Sequence, residues 1–327
     1  MPADDVRQRL LALLVSPPCP RAVEDDAMRI DVERVTTLKA ALFRSGSSRF
    51  ENCMLQDAIR AFDAVVRGAA YHFVPPSVQT MWQRIADAHG DDVLAIFNQL
   101  LLLTLIEDFD VRIRTRRYPQ SIIDQFHLNF RRIVSDIASN GSDSYRLRND
   151  RFMKDLAICR QKLIPAGAEV LEEYSGIPRS TVIAGGPAQF AAFLVFLVSH
   201  GGGRFPFYEY HTHLSTLEDF NPAGFDAFYV RVADLLKLNP EHRGLIATSW
   251  FLDPVLERIS PRLAYIRTRP MQHGAKLFVV GPDADGSAIC RSATRRKLYE
   301  EGEYKPMAYR IVWPRPQLIA WAASQAT

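Results

Sequence analysis

The first half of the chain carries apolar residues at helical spacing. Leu55, Ile59 and Phe62 recur every three or four residues, which is typical of a helix with one buried face. A longer apolar run follows from Val93 to Ile106, opened by two aspartates that suit a helix N-terminus. No turn-rich, β-rich stretch interrupts this half. We therefore predict an all-helical domain over residues 1–144.

The second half has a different pattern, separated from the first by the polar, turn-prone run from Ser139 to Ser144. Short apolar segments alternate there with helical ones, which indicates a mixed α/β domain over residues 145–327. The chain as a whole is then of the α+β class. The predicted strands are Glu169–Tyr174, Glu209–His213, Gly244–Leu252, Ala275–Val280, Ala308–Trp313 and Gln317–Trp321, and the main predicted helices end near Ser199, Leu238 and Glu301.

Two apolar runs are candidates for membrane-spanning helices. Val93–Ile106 and Phe190–Val198 are both shorter than the roughly 18 residues that a spanning helix needs. We predict that both are buried core helices. The acidic start from Met1 to Asp5 does not resemble a secretory signal, so we expect a soluble protein without a membrane span.

Composition adds little to this picture. The 327 residues are 47% hydrophobic and 24% charged, as in ordinary globular proteins. A net charge of +3 does not indicate a nucleic-acid partner. The four cysteines are scattered without metal-finger spacing, which fits a reduced, cytoplasmic setting.

Candidate chemistry is concentrated in the run Glu-Tyr-His-Thr-His. Glu209, His211 and His213 are spaced two apart, so an extended strand points all three side chains to one face. A carboxylate and two imidazoles held side by side can accept or donate protons near neutral pH. We therefore predict that these three residues are catalytic.

The same three residues allow two other interpretations. Imidazoles with a nearby carboxylate resemble the ligand sets of zinc and non-haem iron sites, so His211, His213 and Glu209 are the alternative metal ligands. Two histidines at this spacing also occur as hydrogen-bonded structural pairs in sheets. We expect no metal and keep the metal-dependent enzyme as an alternative.

The segment from Ser292 to Pro306, between two predicted strands, resembles the end of GNAT-type acyl-CoA N-acyltransferases. That family carries the helix pattern N-x-x-A-x-x-L-Y-x-x-x-G-F, and Leu298 and Tyr299 stand at its Leu-Tyr pair. Ser292 replaces Asn, Arg295 replaces Ala, and the glycine comes one residue early. The family's Q/R-x-x-G-x-G/A cofactor loop has no match.

The resemblance implies a reaction. An acyl group would pass from a thioester, acyl-CoA as co-substrate, to a small-molecule amine, with an acyl carrier protein as another possible donor. Tyr299 would protonate the departing thiolate, and Glu209, His211 or His213 would take the proton of the amine.

Two pairs of residues are the predicted cofactor-binding positions. Gly185 and Gly186 precede a helix, whose free N–H groups can receive a phosphate. Arg295 and Arg296 belong to a basic helix that could meet the phosphates of coenzyme A. A plain turn and a solvated helix face are the alternatives.

Ser249 and Trp250 end a predicted strand, where ligands of α/β sheets gather. We predict that they line the substrate site, while Asp253 caps the following helix. A last alternative for the whole chain is a non-catalytic interaction protein with a degenerate acyltransferase fold, because the cofactor loop is not matched.

Overall fold

The computed structural model describes residues 31–46, 52–140, 145, 149–199, 203–213, 218–283, 286–290 and 292–325. The chain divides into two compact units, Met1–Pro165 and Ala166–Thr327. Helices precede a mixed sheet, so the predicted α+β class is confirmed. Most of the predicted linker lies outside the described residues, and the domain boundary at residue 144 stays a prediction.

In its described part, the first unit consists of helices and one short strand. These elements are α1 (Val32–Gly46), α2 (Asn52–Asp63), α3 (Pro76–His89), α4 (Asp91–Glu107), α5 (Phe109–Ile113), α6 (Gln120–Asn140), α7 (Asp150–Cys159) and β1 (Leu163–Pro165).

Helix α4 forms the centre of the first unit. Nearly every side chain from Val93 to Ile106 is buried, including the amide of Asn98. A helix that is apolar on all sides is stable only when neighbours surround it. Asn98 remains compatible with the core because its Nδ2 donates to the carbonyl of Tyr145 at 2.8 Å. The predicted burial of this run is confirmed.

A charged network ties α6 to α7. Asp155 is fully buried and accepts hydrogen bonds from the Arg132 guanidinium. Arg132 also bonds Asp136 at 3.0 Å, and Asp136 pairs with Arg151. Burial alone would lower the pKa of Arg132, but the charges of Asp155 and Asp136 outweigh it and hold that pKa above its ordinary value. The ion pairs are therefore formed at neutral pH.

The second unit combines five strands with eight helices among its described residues. These elements are β2 (Val170–Ser175), α8 (Arg179–Ala184), α9 (Gly186–Ser199), β3 (Phe207–His211), α10 (Pro222–Leu238), β4 (Gly244–Ser249), α11 (Leu256–Ile259), α12 (Tyr265–Gln272), β5 (Lys276–Pro282), α13 (Ser287–Cys290), α14 (Ala293–Glu300), β6 (Met307–Pro314) and α15 (Arg315–Ser324).

One predicted strand is wrong. Gln317–Trp321 lies inside α15, with Pro316 in its first turn. Proline suits that position because a first-turn N–H has no helical partner to lose. The apolar residues Leu318, Trp321 and Ala322 are spaced to bury one helical face.

The strands of the second unit are ordered β2-β3-β4-β6-β5. β3 and β4 are parallel, whereas the β2–β3, β4–β6 and β6–β5 pairs are antiparallel. Aromatic residues of α10 and α15 cover one face, where Phe228 contacts Tyr210 and Trp321 contacts Trp313. Helix α9 packs on the other face through Phe193 and Phe196.

Helix α9 departs from the predicted burial of Phe190–Val198. Only Phe193 and Phe196 are buried in this helix, and Phe190, Leu194 and Val198 are exposed. The prediction of a core helix is therefore wrong for this run, although it is apolar throughout.

Candidate active site

The two parallel strands separate in the middle of the sheet. β3 and β4 pair only at Tyr208–Leu245 and Glu209–Ile246, and both strands are described beyond that point. β3 runs on to His211 while still paired with β2, and β4 runs on to Ser249 while still paired with β6. The split opens at the carboxyl ends of the strands, where α/β sheets bind ligands.

One face of the sheet changes from apolar to polar along the strands. Near the amino ends of β3 and β4, Phe207 and Ile246 belong to the core under α9. Side chains two residues apart share a face, so Glu209, His211 and Thr248 continue the same rows toward the split. All three are partly accessible to solvent. The structure thus brings Glu209 and His211 together at the opening.

His211 is held by a carboxylate from the neighbouring strand. Its Nε2 lies 3.2 Å from Oε2 of Glu172. Glu172 is buried and is paired in register with Glu209 across β2 and β3. A carboxylate on one ring nitrogen fixes the orientation of an imidazole and leaves the other ring nitrogen available for proton exchange.

Arg310 of β6 reaches Glu209 from the other side of the split. Its Nη2 lies 3.9 Å from Oε1 of Glu209, and its Nε donates to Oγ1 of Thr248 at 2.7 Å. Burial lowers the pKa of Arg310, and the charge of Glu209 acts in the opposite direction. Arg310 therefore links Glu209 of β3 to Thr248 of β4 across the split.

His213 differs from the other two residues of its motif. β3 ends at His211, so the spacing of two that would align His213 with Glu209 does not extend to it. Its side chain is 1% exposed. An incoming substrate therefore reaches His213 less easily than His211.

Ser249 ends β4 and Trp250 follows it directly, so the strand predicted to run to Leu252 ends three residues earlier. Oγ of Ser249 accepts a hydrogen bond from the N–H of Phe251 at 3.1 Å, which starts a single turn of helix. Asp253 is buried and accepts from the N–H of Val255 at 3.0 Å and of Met307 at 3.2 Å. These bonds fix the chain just beyond the split.

The two predicted arginines differ in their surroundings. The Arg295 guanidinium lies 4.6 Å from the ring centroid of Trp250, and it donates to the carbonyl of Ala288 and to Oγ of Ser260. These contacts commit Arg295 to the interior. Arg296 is exposed and donates to the carbonyl of Cys290 at 2.9 Å.

Tyr299 lies on the same helix as Arg295, one turn later, and is 49% exposed. Residues four apart share a helix face, so Tyr299 neighbours the face that packs on Trp250. Because Trp250 directly follows β4, α14 lies at the end of β4 at which the split opens. Tyr299 has no hydrogen bond to Glu209, His211 or His213 in the described structure.

Gly185 and Gly186 lie between α8 and α9. Gly186 has a φ of +75°, a conformation that L side chains rarely adopt, and it begins α9. The predicted turn before a helix is therefore present. Its use by a phosphate stays a prediction.

The described residues contain no group of three or more His, Cys, Asp or Glu side chains arranged to hold a metal ion. No helix in the described part of the chain is both long enough and apolar enough to cross a membrane.

Sequence reasoning did not single out Glu172, Thr248 or Arg310. Glu172 had no distinguishing local signal, because Glu169 and Glu173 lie in the same predicted strand. Thr248 and Arg310 are ordinary strand residues in the sequence. Only the pairing of β4 with β6 places them beside Glu209.

The chain has one weak structural match among known proteins and no sequence match. No protein-family model matches the chain, and no curated protein sequence matches it either. A crystal structure of an acyltransferase in complex with decanoyl-CoA aligns with 96% of this chain and 100% of its own, at 15% identity and a TM-score of 0.41. A likeness of this size carries no argument about chemistry, and the GNAT-type resemblance stays a prediction.

Proposed function

We propose that the second unit transfers an acyl group from a thioester, acyl-CoA, to an amine. The observation that carries this proposal is the split between β3 and β4, with Glu209 and the Glu172–His211 pair on one of its faces. The split combines an opening for an extended ligand with side chains that can accept or donate a proton. The helices of the first unit are assigned no step.

The proposed donor suits the backbone of the split. Coenzyme A ends in an extended arm with two amide groups, and an extended chain with amides can pair with strand edges as an added strand does. Beyond Glu209 and Ile246, the facing edges of β3 and β4 run on without pairing with each other. Gly186 and Arg296 are the proposed contacts of the phosphates, whereas Arg295 contributes by holding α14 on Trp250.

In the proposed reaction, the nitrogen of the acceptor amine attacks the thioester carbon and the carbon–sulfur bond breaks. Tyr299 protonates the departing thiolate of coenzyme A, and the amine nitrogen loses one proton. His211 accepts that proton, because Glu172 binds one nitrogen of its ring and orients the other toward the opening. Glu209 faces Arg310 and is the second choice of base. Ser249 and Trp250 are proposed to border the acceptor.

A ligand screen tests the proposal. Acetyl-CoA and longer acyl-CoA thioesters are expected to raise the melting temperature, because a ligand at 100 times its Kd adds about 2.7 kcal/mol to the free energy of unfolding. Release of free thiol in the presence of a panel of amines then measures turnover. Zinc and iron salts belong in the same screen. If no thioester shifts the melting temperature, acyl-CoA is not the donor.

Tyr299→Phe tests the acid. Removing the phenolic proton is expected to lower kcat about 100-fold and to leave the KM for the thioester largely unchanged, because the hydroxyl acts only as the thiolate departs. Thiol release over a range of thioester concentrations measures both constants. Tyr71→Phe in the first unit is the matched control. Equal turnover of Tyr299→Phe and the wild type removes Tyr299 from the mechanism.

A further inference from the structure

Helix α9 presents a second apolar stripe to solvent, in addition to the stripe that packs on the sheet. Phe190, Leu194 and Val198 follow one another every four residues, with Val195 beside them. Val195 is 67% exposed and Val198 is 88% exposed. Soluble proteins rarely leave a continuous apolar row of this kind uncovered, and such patches mark interaction surfaces.

Helix α9 cannot rotate about its axis to bury this stripe, because contacts with β5 hold its inner side. Nε2 of Gln189 donates to the carbonyl of Val279 at 3.0 Å, and Oε1 of Gln189 accepts from the N–H of Val279 at 2.8 Å. Phe193 and Phe196 are buried against Phe278 with ring centroids 5.3 and 6.0 Å away. Among the described residues, the outer stripe therefore stays exposed while these contacts hold the inner side of α9 on the sheet.

We propose that the outer stripe of α9 binds the same stripe of a second copy of this chain. The sequence contains no Asp, Glu, Lys or Arg between Arg179 and Arg204. An uncharged apolar helix is complementary to itself in a two-fold arrangement, since no like charges meet. Helices that lie on membranes carry Lys and Arg on their polar face, and α9 has neither.

Size and shape also fit a helix pair. The outer stripe, together with the exposed Ile183 of α8, presents on the order of 500 Å² of surface, so two copies bury up to about 1,000 Å² in total, which is the lower bound for a specific interface. Ala188, Ala191 and Ala192 are exposed between the larger side chains. Small residues let two helix axes approach to about 8–10 Å.

Sedimentation equilibrium of the full chain over a dilution series tests the proposal. The wild type is expected to form a dimer, and Val195→Glu combined with Val198→Glu is expected to raise the dimer Kd at least about 100-fold. Because both valines are highly exposed, the variant is expected to keep the circular dichroism spectrum of the wild type. Leu194→Gln provides a milder variant of the same stripe.

Val111→Glu is the matched control, because Val111 is 69% exposed on α5 of the first unit. This variant is expected to dimerise as the wild type does. A monomeric wild type, or a double variant that dimerises like the wild type, overturns the proposal. Flotation of the wild type with phosphatidylcholine vesicles also overturns it and assigns the stripe to lipid. None of these outcomes depends on acyl transfer.

Discussion

His211→Gln is expected to lower the turnover number about 10²- to 10⁴-fold, which is the contribution of a positioned general base. Glutamine can still donate a hydrogen bond to Glu172, but it cannot take up a proton near neutral pH. The KM for the thioester is expected to change little, because the imidazole acts on the amine. Thiol release at saturating amine, over a range of thioester concentrations, measures both constants.

His89→Gln is the matched control for this substitution, since His89 ends α3 in the first unit and is exposed. Its turnover is expected to equal that of the wild type. Glu209→Gln distinguishes the two possible bases, because a larger loss in that variant than in His211→Gln assigns the proton transfer to Glu209. If both variants turn over like the wild type, the split is not the site of acyl transfer.

Asp155→Ala is expected to lower the free energy of unfolding by about 3 kcal/mol, the cost of breaking a buried ion pair from one side. Asp155 is fully buried against Arg132, whose side chain is also largely buried. Its removal leaves a small cavity and a largely buried guanidinium that is still paired with Asp136. Urea unfolding followed by far-ultraviolet circular dichroism measures the loss.

Asp57→Ala is the control for the loss of charge alone. Asp57 pairs with Arg60 on the exposed surface of α2, and such pairs contribute at most about 1 kcal/mol. A loss below about 1 kcal/mol in Asp155→Ala would mean that water replaces the carboxylate without penalty and that the network does not stabilise the first unit.

Local sequence patterns predicted most elements of the fold, because each such pattern is contained in a few neighbouring residues. Asn221 caps α10 through its side chain, as an Asn-Pro pair suggests. β2 and β6 fall where apolar runs predicted strands. The prediction of a strand at Gln317–Trp321 is wrong because a short apolar run is compatible with either a strand or a helix.

The failures at α9 and at the site have a different cause. The apolar composition of α9 is compatible with burial on all sides, and nothing local shows that only one side meets the sheet. At the site, Glu209 and His211 were predicted from their spacing. Glu172 and Arg310 join them only through strand register, which links residues far apart in the chain.

Strands β3 and β4 are joined by two residue pairs, and this short pairing affects how the sheet can bend. Strands β2 and β3 form one group in the sheet, and strands β4, β6 and β5 form a second group. The strands within each group are paired over a longer stretch than β3 is paired with β4. Because few hydrogen bonds join β3 to β4, we expect small rotations of one group of strands against the other to be concentrated at this pair of strands. We therefore expect the width of the opening to change more readily on ligand binding than the pairing within either group of strands.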